Sequence, residues 1–367
     1  MTQAKYVKVA GVWEPVIAEY AKIGGAWKLA TANRVKIGGV WKDIPVGAKY
    51  IFACEQFSDY LYGLDDTPTD LAGWPKFGVD QYPPAVPAQW ETITDPNDVA
   101  VDNDGNSYWA CSNGVYKIGL DGTIAWRNDD HASTVLSICV DADGYVYSGD
   151  FLGVVKKLSP AGAEVWTKTL GASYSVYALA VDYSAGRLYA GTGNAHNGVY
   201  SIVTLNGNAT SIYTSPYGDV SGIAIDEGSP TSLYIGTNGG YLMKITLAGY
   251  VYWGDGGAIS TGVYNVRVGH DGYGYCATGP SGGLYKFNLS TGANTWHYIP
   301  GGTACAIGCA VDMFGNVYGT WYVAGVSVRN IVRKVNSAGS LVWSYQPYES
   351  AQWMGIAVTP GIKAAGW

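Results

Sequence analysis

Charge is scarce in this chain. Only 14% of its 367 residues are Asp, Glu, Lys or Arg, against about 25% in a typical soluble domain. The net charge is −7, the pI ≈ 5.1, and no Lys/Arg cluster occurs. Such a chain has no basic cluster to neutralise a phosphate backbone, so no nucleic-acid partner is expected. No apolar run approaches ~18 residues, which excludes a transmembrane helix and membrane insertion through one. The start, MTQAKYVKVA, lacks an apolar signal core, so no signal peptide is expected. Six cysteines show no CxxC pair, and Cys305 and Cys309 have no second pair at zinc spacing. They read as small buried thiols. The four His are scattered, and neither GxSxG nor HExxH occurs. No helical period of useful length is present.

Glycine (51), Tyr (30) and Trp (14) are abundant, and the 48% hydrophobic share argues against disorder. Two repeats organise them. KVAGVW (8–13), KIGGAW (22–27) and KIGGVW (36–41) place Trp13, Trp27 and Trp41 at steps of 14. A Gly-containing turn between short apolar runs signals a tight hairpin. Residues 1–47 are therefore expected to form an arm of three hairpins. Each buries little surface alone, so the three Trp are expected to dock on another subunit or a larger assembly. The alternative is packing on this chain's own main domain.

The second repeat covers the rest. Apolar strands end at 102, 141, 182, 226, 269, 312 and 359, beginning with DVAVD (98–102) and SICVD (137–141). A Gly turn, a Tyr-bearing strand, a strand that often carries Lys, and a strand with Trp four residues after Gly follow in most units. Four strands per ~43 residues is the mark of propeller blades. Residues 48–367 are expected to be an all-β, seven-bladed β-propeller of four-stranded blades. The seventh blade combines GIAVTP (355–360) with KYIFAC (49–54) and DYLYGLD (59–65), because pairing the two ends removes exposed edges. Its third and fourth strands are sought near Trp74–Phe77.

VDADGYVYSGD and VDNDGNSYWA resemble NHL-type repeats, and SPAGAEVW and NSAGSLVW resemble the Trp-docking strands of PQQ-like quinoprotein propellers. This resemblance spans about 95–367 and implies fold rather than activity. The KIGGxW units resemble amino-terminal segments of bacteriophage virion proteins of tails and appendages. That resemblance implies attachment to a particle. A quinoprotein enzyme needs export and a vicinal Cys pair, which this chain lacks, so no enzyme, cofactor or metal is expected. The DxDG turns at Asp102/Asp104 and Asp141/Asp143 read as capped hairpin turns rather than calcium loops, since the sixth and twelfth loop positions are wrong.

The longer connections are placed on one propeller face. They carry Asp129, Asp130, His131, Asn194, His196, Asp255, Trp321 and Tyr322. Exposed aromatics beside carboxylates and amides suit a sugar: the rings stack on C–H surface and the polar groups take hydroxyls. Ordinary surface loops or a protein contact are the alternatives. The expected function is a non-enzymatic structural protein of a bacteriophage particle, assembled in the host bacterial cytoplasm and located in the virion. Residues 1–47 would bind other virion proteins, with an oligomer in the particle. The propeller would serve as decoration or contact a host-surface glycan or protein. A free carbohydrate- or protein-binding bacterial propeller is the alternative, with a polysaccharide-degrading enzyme behind it.

Overall fold

The computed structural model describes residues 5–9, 12–16, 20–23, 26–29, 34–37, 40–43, 50–56, 60–65 and 93–358, except 103, 227–231, 256–258, 260, 270, 281, 301–303, 313, 324–328 and 346–351. Every regular element among them is a strand. The chain divides into two compact units, residues 1–49 with 360–367, and residues 50–359.

The first unit contains three separate two-stranded hairpins: Lys5–Val9 with Val12–Val16, Tyr20–Ile23 with Ala26–Leu29, and Arg34–Ile37 with Val40–Asp43. Their registers coincide. Lys8 faces Trp13, Lys22 faces Trp27 and Lys36 faces Trp41.

The second unit holds six four-stranded antiparallel sheets, here blades 1 to 6. They span residues 96–128, 135–169, 174–214, 220–255, 263–298 and 304–345. The first strands of successive blades are neighbours. A further sheet stands between blades 6 and 1. Its strand Gln352–Val358 pairs with Tyr50–Gln56, which pairs with Tyr60–Asp65. The expectation of seven four-stranded blades is thus corrected to six. Among the described residues the sheet joining the two ends has three strands, and the sequence leaves the repeat after Asp65. The segment expected to complete it, 74–77, lies outside the described residues.

Burial explains why the repeat reads as it does. Second strands are covered by a blade on each side. Ser107–Cys111, Val146–Asp150 and Ser232–Thr237 are buried throughout, so they lack polar alternation. Fourth strands form the outer rim, and Glu164–Thr169 and Leu341–Tyr345 are largely exposed.

The repeated residues form links within and between blades. Asp102, Asp141 and Asp312 each accept two backbone amides of their own turn, at 2.7–3.2 Å. Their second oxygens accept the hydroxyls of Tyr108, Tyr147 and Tyr318 at 2.9, 2.9 and 3.2 Å. Carboxylates so engaged are turn caps. The fourth-strand Trp then reaches the next blade. Trp126 Nε1 donates to Pro160 O at 2.9 Å, Trp166 to Thr204 O at 2.9 Å, and Trp296 to Ser337 O at 3.1 Å. Gly162, at φ +84°, lies under the Trp126 ring, where a Cβ would stand 2.7 Å from ring carbon. The AGxxxW pattern therefore records a seat for the preceding blade's indole.

Lys157 Nζ shares Thr204 O with Trp166, at 3.1 Å. Trp166→Phe leaves that carbonyl one donor and thins the contact. It is expected to cost about 1–2 kcal/mol, seen as a fall of a few degrees in the thermal midpoint. An unchanged midpoint would show that the indole N–H adds nothing to blade docking.

Candidate functional site

The loop residues do not converge on one site. Asp129 is exposed and pairs with Arg127 at 3.3 Å. Asp130 accepts Asn128 Nδ2 at 2.8 Å in a local turn. Asp255 and Tyr322 occupy strand positions, with side chains outside the described set. Trp321 requires a correction. The segment expected as an exposed loop is largely the strands Val317–Val323 and Arg329–Val335. Trp321 is 0% exposed there, edge-on to Tyr298 at 6.0 Å, with the Arg333 guanidinium 5.3 Å from its ring. It is a core side chain and cannot stack on a sugar. The misreading arose because an aromatic in a Gly-flanked run looks the same in a loop or in an inner strand.

His131 is corrected likewise: its side chain has no accessible surface. Its Nδ1 lies 3.0 Å from Asp150 Oδ2 and its Nε2 2.9 Å from Ser148 Oγ. This is the order of a nucleophile, base and orienting carboxylate. Yet Ser148 is 0% and Asp150 1% exposed, so no substrate atom can reach the hydroxyl. Asp150 Oδ1 also accepts the amides of Leu152 and Val154 at 2.9 and 2.8 Å. The trio therefore ties the connection entering blade 2 to the turn after its second strand. Sequence spacing alone does not show this, since His131 precedes its partners by 17 and 19 residues.

Asn194 and His196 do share a neighbourhood. Asn194 donates Nδ2 to Ser175 Oγ at 2.6 Å and its amide to Asp219 Oδ1 at 3.0 Å. The His196 ring stacks on Tyr174 at 5.1 Å and tilts toward Tyr200 at 5.4 Å. Most polar groups here are already paired within the protein.

Two further places emerge only from the fold. Asp98 lies on the first strand of blade 1 and Arg267 on that of blade 5. Burial pushes the Asp98 carboxyl up to about 6. The Arg267 charge and the Ile138 and Val99 amides pull the other way. Burial also raises the thiols of Cys305 and Cys309, to about 11 and 12, so neither presents a thiolate at neutral pH.

The second place is a cleft of about 280 Å³ where blade 4 meets blade 5, lined by Ser232, Lys244, Tyr252, Trp253 and Ser290. Tyr252 is 62% exposed and Tyr250 75%. Lys244 Nζ lies 5.3 Å from the Tyr234 ring centre and 5.7 Å from that of Tyr252. This cleft is on the opposite side from the expected loops, next to the turn joining the third and fourth strands of blade 5. Among the described residues no group of three or more His, Cys, Asp or Glu side chains is arranged to hold a metal ion.

No family model and no curated protein matches the chain. It is similar in structure to the WD40 β-propeller domain of Doa1, at 14% identity over 70% of this chain and 84% of that one, with TM-score 0.56. It is also similar to the β-propeller domain of Myceliophteria thermophila Cps50 (Swd1), at 14% identity over 69% and 87%, TM-score 0.59. A computationally designed protein, Ika8, matches at 13% identity over 89% and 87%, TM-score 0.55. At such identities the likeness shows the fold alone: the chain is a β-propeller with four-stranded blades.

Proposed function

We propose that this protein is a non-enzymatic structural component of a bacteriophage particle, held by residues 1–47 and displaying the propeller for decoration or host-surface contact. The observation that carries this reading is the hairpin series. Three two-stranded sheets repeat one Lys–Trp register at steps of 14 residues. A lone two-stranded hairpin is marginal in water, so a periodic series of them suits a periodic partner surface. The Trp-on-Gly seats support reading the blades as PQQ-like, and the Asp-capped Gly turns support an NHL-like component. The sealed Ser148–His131–Asp150 trio supports a role without catalysis.

The test is complementation of particles with the full chain or with residues 48–367. The truncated chain is expected to melt like the parent propeller and to be absent from purified particles by mass spectrometry. Equal incorporation of both chains, or absence of the full chain from particles, would overturn the proposal.

A further inference from the structure

On the face that carries the longer connections, one hydrogen-bonded network runs across blades 2 to 4. Asn194, in the turn after the second strand of blade 3, donates Nδ2 to Ser175 Oγ at 2.6 Å. Ser175 Oγ donates in turn to Phe151 O of blade 2 at 2.9 Å. Toward blade 4, the Asn194 amide meets Asp219 Oδ1 at 3.0 Å. Asp219 and Asn238 then hold each other twice. The Asp219 amide donates to Asn238 Oδ1 at 2.9 Å, and Asn238 Nδ2 donates to Asp219 Oδ2 at 2.8 Å. Among the described residues three that are not glycine have positive φ, and two of them stand here. Ser173 and Asn194 both lie at +62°, with Ala195 N donating to Ser173 O at 3.4 Å. Such conformations persist where the surroundings hold them, and they cluster at binding sites.

Rings stand on this network. Phe151 is 46% exposed and Tyr217 39%. The Tyr217 ring stacks on Tyr241 at 3.9 Å, 19° from parallel, so one of its faces is backed and the ring is held in one pose. Gly218, at φ +91°, lies against the Asn238 turn, where a Cβ would stand 2.2 Å from Asn238 Oδ1. Only glycine lets the Tyr217 segment settle there. A ring fixed in this way loses little freedom when a ligand covers it. The one charged member of the network is Asp219, which is half-buried. Each of its oxygens accepts one donor from the protein. A carboxylate has about four acceptor sites, so it can take ligand hydroxyls as well.

We propose that this face binds a neutral oligosaccharide laid across blades 2 to 4. The Tyr217 and Phe151 rings stack on C–H surface of its sugar units, and Asp219 accepts their hydroxyls. An anionic sugar would meet the Asp219 charge with no cation in the network to offset it. An apolar peptide would cover that carboxylate without pairing it. The inference rests on the display reading and deepens it by naming a ligand class. It is measured on the isolated full chain, so its failure leaves the particle test untouched.

The experiment probes an array of neutral and acidic oligosaccharides with the full chain, then titrates the best-retained neutral glycan calorimetrically. A neutral glycan is expected to bind more tightly than any acidic one, with affinity steady as salt rises. Tyr217→Ala is expected to weaken it about tenfold, and Tyr217→Phe to keep it within about threefold. Phe151→Ala, at the more exposed ring, is expected to weaken it about threefold or more with an unchanged melting curve. It decides the matter should Tyr217→Ala unfold. Tyr252→Ala removes an exposed ring on the opposite side and is expected to leave binding as it was. No neutral glycan bound, or a preference for acidic ones, would overturn the proposal. So would affinity unchanged by Tyr217→Ala and Phe151→Ala, or an equal loss in Tyr252→Ala, which would place the sugar elsewhere.

Discussion

Ending the chain before Gln352 is expected to destroy the propeller's cooperative unfolding and to send much of the protein into aggregates. The strand Gln352–Val358 bridges the two ends of the unit. It pairs antiparallel with Tyr50–Gln56 and neighbours the first strands of blades 1 and 6. Ile356, Ala357 and Val358 are buried, and two core clusters draw on them. Ile356 and Val358 contribute about 1.5–3 kcal/mol each by burial. Removing the strand also bares Tyr50–Gln56 as an unpaired edge, which invites pairing between molecules. The combined loss is comparable with the ~5–15 kcal/mol margin of a folded domain. Thermal unfolding and size-exclusion chromatography of the truncated chain check this. A monomer that melts like the parent would mean that the ring closes by other contacts.

The second large effect is expected from Asp150→Ala. The substitution removes the acceptor of the inaccessible His131 Nδ1 and of two amides of the partly exposed turn that follows. Leaving a buried hydrogen-bonding group unpaired costs ~1–3 kcal/mol, and three donors lose their acceptor here. A fall of roughly 10 °C in the thermal midpoint is expected. Ser148→Ala removes only one partner of His131 Nε2 and is expected to cost less. A catalytic trio would show the reverse order of interest, with Ser148→Ala silent in stability and decisive in turnover. If Asp150→Ala melts with the parent, the trio is not the clamp described here.

Both effects bear on how the propeller could serve recognition. A surface that keeps its shape while binding an extended polymer needs its connections pinned. The turn caps, the Trp seats and the His131 clamp pin them at the base of the loops.

Much of the architecture was legible in the residues. The ~43-residue repeat marks the blades because each blade buries a Tyr strand and four of them seat a Trp on the next blade's Gly. The pairing of Gln352–Val358 with Tyr50–Gln56 is legible from GIAVTP, since an incomplete unit at one end needs strands from the other. The number of full blades was not, because an incomplete unit at each end suggests a seventh blade while the repeat itself breaks off after Asp65. The candidate site was legible least of all. Trp321 and His131 sit in Gly-rich or polar stretches that read as surface, and the tertiary structure buries both.

The sequence by itself determined the all-β class, the strand order within a unit, the turn caps and the three Lys–Trp hairpins. These depend on neighbours a few residues apart, where turn chemistry and side-chain alternation act directly. Only the tertiary structure decided which aromatics are core and that Ser148, His131 and Asp150 meet. Those outcomes depend on which faces adjoining blades cover, and residues far apart in sequence meet only once those faces are packed.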